Sequence, residues 1–599
     1  MRRISTGVGG LRDTGGQLCC MLVGAVCVLG VALNWNVHGE ERPWEAPDLM
    51  PVQTRTVEQH DPIVLIASNR APATLVAYGL EGVRDRELRE ALAWLESCLE
   101  AASGVAVSVR YPFSGRLSEI EGPAVVIGNS PELASISLSG ESMPAEGFMI
   151  RTAPDRVYIV GHDATINKEN SAYSFGTVWG ITEFLERFVG VRWYYPGDAG
   201  RDVPRVSTIL VPPTCIASFP QSRRRKAWRQ SIAFLREGNS WPVSVRVHAS
   251  SWGSGRAYRE SLPEVFELLE DGERNYGMPC FGSEASIAVL LEMVAREMAG
   301  GSTPLDVRGH VLTISPPDAP IRCHCEHCRP FWDHKAGRFG TASPIMTRFV
   351  NRVAAEALTR WPELKIIYLP YANYTDVPAG LTFPPNVQVQ LCGMPGLARY
   401  SDPQILAREE ANIAGWFKAS GQPLQMWHYS CWPAIFTRAC FQYPHVIRRH
   451  YESNRGRIIG TFINGPDYGG GQYRQDYWPR FHLTLYCWMK LLWEPSFDVD
   501  AAIDVYCERM FGPGAESMRT LINLQIEGWE SVRWPDVRFT REALYATGYT
   551  PKRISRIKGL LADARQRIGD SAPYADRFRY VAAPFAAFFA EADAAHATD

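Results

Sequence analysis

The sequence predicts an α/β protein, a (β/α)8 TIM-like barrel preceded by a small α+β domain and followed by a helical C-terminal region. Three observations predict it. From residue 214 onward, short apolar strands alternate with amphipathic helices, the signature of a parallel sheet wrapped by helices. Between residues 61 and 213, strand and helix patterns are mixed in a shorter stretch. Beyond residue 481 only helical periodicity remains. A chain of 599 residues is too long for one hydrophobic core, so two or three domains are expected.

In chain order, Arg2, Arg3 and Arg12 precede an apolar run from Leu18 to Leu33, and the sequence turns polar at Asn34. That run suits a signal-peptide core better than a full membrane span, with Val37-His-Gly39 as the cleavage site. Residues 1–39 therefore read as a signal peptide or, if uncleaved, an anchor. The expectation is an exported protein, periplasmic or extracellular, touching a membrane only through this segment. Residues 40–60 are Pro- and charge-rich and read as a linker.

In residues 61–213, Ile63–Ile66, Ala124–Ile127, Gly147–Ile150 and Val157–Val160 read as strands. Leu88, Leu92, Leu95 and Leu99 recur at helical spacing between Asp85 and Ala102, and Phe175–Phe188 is a second helix ending at Gly190. The barrel segment, 214–480, offers strands at Lys226–Trp228, Val243–Val247, Val311–Ile314, Lys365–Leu369, Val387–Leu391, Leu424–Trp427 and Ile458–Ile463. Helices fall at Ala285–Met298, Ile345–Trp361, Pro403–Lys418 and His445–Asn454. The tail, 481–599, reads as helices over Phe481–Trp493, Val499–Phe511, Ala515–Glu530 and Pro551–Ala595.

A net charge of −2 argues against a nucleic-acid partner, which calls for a basic face. The one basic run, Arg223-Arg-Arg-Lys226, reads as a solvated loop. The 18 Trp and 24 Tyr suit stacking against sugars, and equally suit use as core volume.

One stretch concentrates chemistry. After the strand Val311–Ile314 comes Ser-Pro-Pro-Asp318, then Cys323-His-Cys325-Glu-His-Cys328. A rigid strand aims the loop that follows it at the mouth of a parallel barrel, so Asp318 is a candidate catalytic acid. A second carboxylate, Asp467, follows the strand Ile458–Ile463 in the Gly-rich loop Asn464-Gly-Pro-Asp-Tyr-Gly-Gly-Gly471. Glycosidases use two such groups, one protonating the leaving oxygen and the other acting as base or nucleophile. Asp376 is a third carboxylate of this kind. For each, the alternative role is a turn aspartate capping its own backbone.

His248 and His428 end equivalent strands and stand near Trp252 and Trp432; with Tyr371, Asn373, Tyr429 and Asn464 they form the candidate substrate rim. Trp228 is a further stacking candidate. Cys323, Cys325 and Cys328 place three thiols within six residues, with a fourth ligand to come from His324, His327, Cys280 or Cys392. Structural zinc, a disulfide to a distant cysteine, and reduced thiols are the alternatives. Whichever holds, the role is to stiffen the loop bearing Asp318. No other cofactor is expected. Cys98, Cys392 and Cys487, isolated in apolar runs, read as buried free thiols.

Val126-Ile-Gly-Asn-Ser-Pro-Glu132, Glu146-Gly-Phe148, the helix Phe175–Phe188 and Gly190-Val-Arg-Trp-Tyr-Tyr-Pro-Gly197 resemble the N-terminal domain of α-glucuronidases and β-hexosaminidases. Farther on, Ser315-Pro-Pro-Asp318 with the Cys-x-Cys-x-x-Cys cluster, Phe349-Val-Asn-Arg-Val-Ala354, Leu391-Cys392 and Lys490-Leu-Leu-Trp-Glu-Pro495 resemble domain-of-unknown-function family 4838. That resemblance implies a glycoside hydrolase-like barrel. This chain departs from it in having His428 within Trp-His-Tyr where relatives have Trp-Asp-Tyr, and Asn464 where many carry Glu. The resulting expectation is an exported enzyme that cleaves glycosidic bonds in a poly- or oligosaccharide. The alternative is a non-catalytic carbohydrate-binding protein on a degenerate barrel, and a metal-dependent enzyme using the Cys/His loop is a third reading.

Overall fold

The structure, a computed structural model, describes residues 42–597 apart from 80–84, 168–171, 196, 223, 228–255, 302, 304, 306, 308–309, 316, 394–395, 431–435, 465–477 and 536–538. The strand expected at Val243–Val247 and the N-terminal signal segment lie outside the described residues. No helix among those described is long and apolar enough to cross a membrane.

The first part of the chain builds a seven-stranded sheet. Its strands are β1 (Gln53–Thr54), β2 (Thr74–Ala77), β3 (Val109–Arg110), β4 (Ala124–Ile127), β5 (Phe148–Ala153), β6 (Arg156–Gly161) and β7 (Cys215–Ser218), in the order β1-β7-β5-β6-β4-β2-β3. The β2, β3, β4 and β6 pairings are parallel, whereas β5 and β6 form an antiparallel hairpin. All four residues of β4 are buried, as a strand covered on both faces requires. Helix α1 (Asp85–Ser103) turns Leu88, Leu92, Leu95 and Leu99 inward. Helix α2 (Gly176–Phe184) is buried at every residue and runs on as a π turn, Leu185–Val189. Gly190 closes that turn at φ +88°, a left-handed conformation that glycine adopts without penalty. Just beyond, the fully buried Arg192 forks onto Asp48, with both N–O distances 2.6 Å.

The second sheet is all parallel. Its strands are β8 (Arg224–Ala227), β11 (Val311–Ile314), β12 (Lys365–Tyr368), β13 (Val387–Cys392), β14 (Leu424–Tyr429) and β15 (Ile458–Asn464), in the order β8-β15-β14-β13-β12-β11. Between β8 and β11 a separate hairpin forms from β9 (Phe266–Leu268) and β10 (Arg274–Pro279). Among the described residues the six-stranded sheet is open, with β8 and β11 at its edges. Helices α3 (Glu284–Met298), α4 (Ser343–Arg360), α5 (Pro403–Ser420) and α6 (Pro444–Ser453) match the four expected from periodicity. Only a 3-10 turn, Ala372–Tyr374, is recorded between β12 and β13. The basic run expected as a loop is corrected here: Arg224–Ala227 pairs in parallel with Gly460–Ile463 and is an edge strand.

The tail is helical, with α7 (Trp478–Trp493), α8 (Val499–Phe511), α9 (Ala515–Glu530), α10 (Pro551–Ile568), α11 (Tyr574–Ala582) and α12 (Phe585–His596). The single helix expected over Pro551–Ala595 is therefore three. The first break falls at Gly569, whose φ of +59° and ψ of −133° do not continue a helix. Helix α7 joins the sheet-bearing parts. Lys490 places its ammonium 2.9 Å from both oxygens of Glu186, and the Trp493 indole donates to Ser218 at 2.8 Å. The Gln221 N–H donates to the Trp493 carbonyl at 2.8 Å. Trp179, Trp416, Trp488, Trp493 and Trp529 are fully buried, so these five serve as core volume.

Candidate active site at the strand ends

In a strand successive side chains face opposite sides, and in-register residues of neighbouring strands share a face. Cys392 aligns with Trp427, and Trp427 with Phe462. Cys392, Trp427, Phe462 and, two residues on, Tyr429 therefore belong to one face. Met426 and His428 belong to the other, where His428 meets α6 and α7. The expected role of His428 at the rim is corrected by this alternation. Its ring is fully buried, 3.3 Å by Nε2 from Nε2 of His450 on α6, with centroid 6.0 Å from Trp488 on α7. Burial lowers the pKa of both imidazoles, that of His450 to about 3, so both are neutral.

The other face delivers a different set to the C-terminal ends. Asp318 is exposed on the loop after β11, and Tyr371 is half-buried after β12. Tyr429, the last residue of β14, lies with its hydroxyl 3.5 Å from the Cys392 sulfur at the end of β13. Burial raises the Tyr429 hydroxyl well above the usual tyrosine range, and Cys392, Tyr371 and Asp318 add to that rise. Tyr374 is raised in the same way, with Tyr368, Tyr371, Cys392 and Asp318 contributing. Asp318 lies near enough to both tyrosines to disfavour their ionisation, and both stay protonated. The backbone of Asn464 ends β15 at the same edge, in register with Tyr429. Asp376, by contrast, is paired with Arg408.

Asn373 is spent locally. Its Oδ1 accepts from the Ile321 N–H at 3.0 Å, and its Nδ2 donates to the Ile321 carbonyl at 2.9 Å. The loop that carries Asp318 is thereby tied to the loop after β12. Further ties come from the β9–β10 hairpin. The His324 N–H donates to the Leu268 carbonyl at 2.7 Å, and the fully buried Glu267 accepts from the Arg322 N–H. Between this hairpin and the Asp318 loop opens a cleft of about 680 Å³ whose lining includes Glu270, Asp271, Arg322, His324, Trp332 and Asn373. The indole of Trp332 donates to the Cys323 carbonyl at 2.9 Å, which fixes its plane. Trp332 lies four residues past Cys328 and belongs to no motif of its own.

Cys323, Cys325 and Cys328 are joined by Cys280, just past β10. The four sulfurs lie within 4.8 Å of one another, all buried, and all four are free thiols. The disulfide alternative is not what the structure shows, and Cys392 is not part of the cluster. Cys98, Cys392 and Cys487 are buried and in no disulfide, as expected. Asp467, His248, Trp228, Trp252 and Trp432 lie outside the described residues, so the second carboxylate and much of the aromatic rim have no described position.

The profile of the family described as "Domain of unknown function (DUF4838)" matches residues 195–523, from the end of the front domain through the parallel sheet into the C-terminal helices. No curated protein is similar in sequence. Among solved structures, CpGH84B is similar over 93% of this chain and 95% of its own, at 11% identity and a TM-score of 0.39. The β-N-acetylhexosaminidase from Bacteroides fragilis NCTC 9343 covers 74% and 90%, at 11% identity and TM-score 0.35. The GH20 β-N-acetylhexosaminidase from Streptomyces coelicolor A3(2) covers 84% and 99%, at 13% identity and TM-score 0.36.

Proposed function

Since the chain belongs to the DUF4838 family, whose matched residues include the whole Asp318 loop, we propose that it is an exported glycoside hydrolase-like enzyme acting at the C-terminal edge of its parallel sheet. One observation carries the reading. An exposed carboxylate, Asp318, stands at a strand end in the electrostatic company of the buried hydroxyls of Tyr374 and Tyr429. In this reading Asp318 is the general acid, Asp467 the base or nucleophile, and Tyr371 and Tyr429 hold sugar hydroxyls. In this reading the six parallel strands belong to a (β/α)8 barrel. Buried glutamines on the face shared with Cys392, Gln390 and Gln425, fit such an enclosed interior. Residues 1–39 direct the chain out of the cytoplasm.

The binder alternative keeps one specific support. At the end of β15 this chain has Asn464 where many relatives carry Glu, so it brings no carboxylate to that strand end. A screen of the mature protein on plant and algal polysaccharides separates the two readings. Sugar release supports the hydrolase. A glycan that raises the melting temperature without being cut supports the binder.

A further inference from the structure

Three sulfur–sulfur separations define the cysteine cluster. Cys280 lies 3.5 Å from Cys325, 3.7 Å from Cys328 and 3.7 Å from Cys323. A disulfide needs about 2.05 Å. Tetrahedral Zn–S bonds of about 2.3 Å put neighbouring sulfurs about 3.8 Å apart. The observed spacing is that of a tetrathiolate cage, with all four side chains buried.

The surroundings fit the same purpose. The Leu268 N–H points at the Cys323 sulfur, 3.4 Å away, the backbone-to-sulfur bond that supports a thiolate. A Cβ on Gly282 would lie 2.7 Å from the Cys328 sulfur and 3.0 Å from its nitrogen, so only glycine lets the turn after Cys280 close on the Cys325–Cys328 knuckle. Arg322 and Arg329 flank the ligands in sequence.

We propose that Cys280, Cys323, Cys325 and Cys328 bind one structural zinc ion, which staples the β9–β10 hairpin to the Asp318 loop. On binding, four Zn–S bonds form and four thiol protons pass to solvent; nothing is oxidised or reduced. The ligand set is closed, leaving no open position for chemistry, so the ion positions the loop and the cleft beside it. This holds whether or not the protein cleaves glycans.

The test needs no substrate. The full chain, purified without chelator, is analysed for metal and titrated with a mercurial thiol reagent. The expected result is one equivalent of zinc per chain, released as four thiols are modified. Growth with cobalt in place of zinc should give the intense visible absorption of a tetrahedral tetrathiolate, lost in Cys280→Ser. Wild-type protein free of metal, with peptide mapping showing disulfides among these cysteines, overturns the proposal. So does full zinc retention in Cys280→Ser, which would remove Cys280 from the ligand set.

Discussion

The Asn373 carboxamide satisfies both backbone groups of Ile321, accepting at 3.0 Å and donating at 2.9 Å. Two strand-end loops, after β11 and β12, are thus locked by one side chain. Asn373→Ala should unfold earlier in urea, by about 1–3 kcal/mol, because two backbone groups lose their partners. Asn373→Asp keeps the acceptor but has no donor for the Ile321 carbonyl, and should fall between the two. Equal midpoints for wild type and Asn373→Ala would show that the clamp is unimportant.

The front domain hangs on a buried ion pair. Asp48→Ala strands the Arg192 guanidinium in the core, and removing one member of such a pair costs about 3–5 kcal/mol. Exchange of Lys490, which spans from α7 to Glu186, should cost a similar amount by leaving that carboxylate buried. Thermal melts of both variants check this.

Stability should have a pH optimum set by the helix-side pocket behind β14. Burial raises Glu409 to about 7, above its unfolded value of 4.5, so its contribution is full below 4.5 and lost as pH rises through 7. The His450 value, lowered to about 3 from 6.5, acts oppositely: its contribution is present above 6.5 and lost as pH falls toward 3. His428, likewise lowered, and Tyr400 share this pocket. Glu409→Gln should flatten the alkaline limb by up to about 3 kcal/mol. An unchanged limb in chemical denaturation at pH 8 would assign it to other groups.

Gly282→Ala tests the packing around the four sulfurs. The added methyl meets the Cys328 sulfur and backbone, both held by the turn, so the cluster must widen. The variant should bind zinc less tightly in chelator competition, while Gly559→Ala, whose Cβ meets nothing, should not. Equal affinities would show the cluster tolerates the displacement.

Much of this was legible in the residues. Apolar periodicity placed the helices of both sheets, because amphipathic spacing is local information. Strand ends are equally readable, yet the rim expected for His428 is the opposite face from the one it occupies. The alternation from Met426 to Tyr429 already put His428 and Tyr429 on opposite faces, and one residue decides between rim and core. Cys280 was only one of several distant candidates, since the fold alone brings it 43 positions back to Cys323. Glu267 and Trp332 gave no motif at all; their roles arise from a hairpin docking on a loop.

The most direct measurement is the initial rate of sugar release by wild type and Asp318→Asn on whichever glycan the wild type cleaves. A general acid contributes about 10²–10⁴-fold, so the variant should be slower by that factor with its melting temperature unchanged. Full activity in Asp318→Asn would contradict the account, and would move the catalytic acid off the central loop.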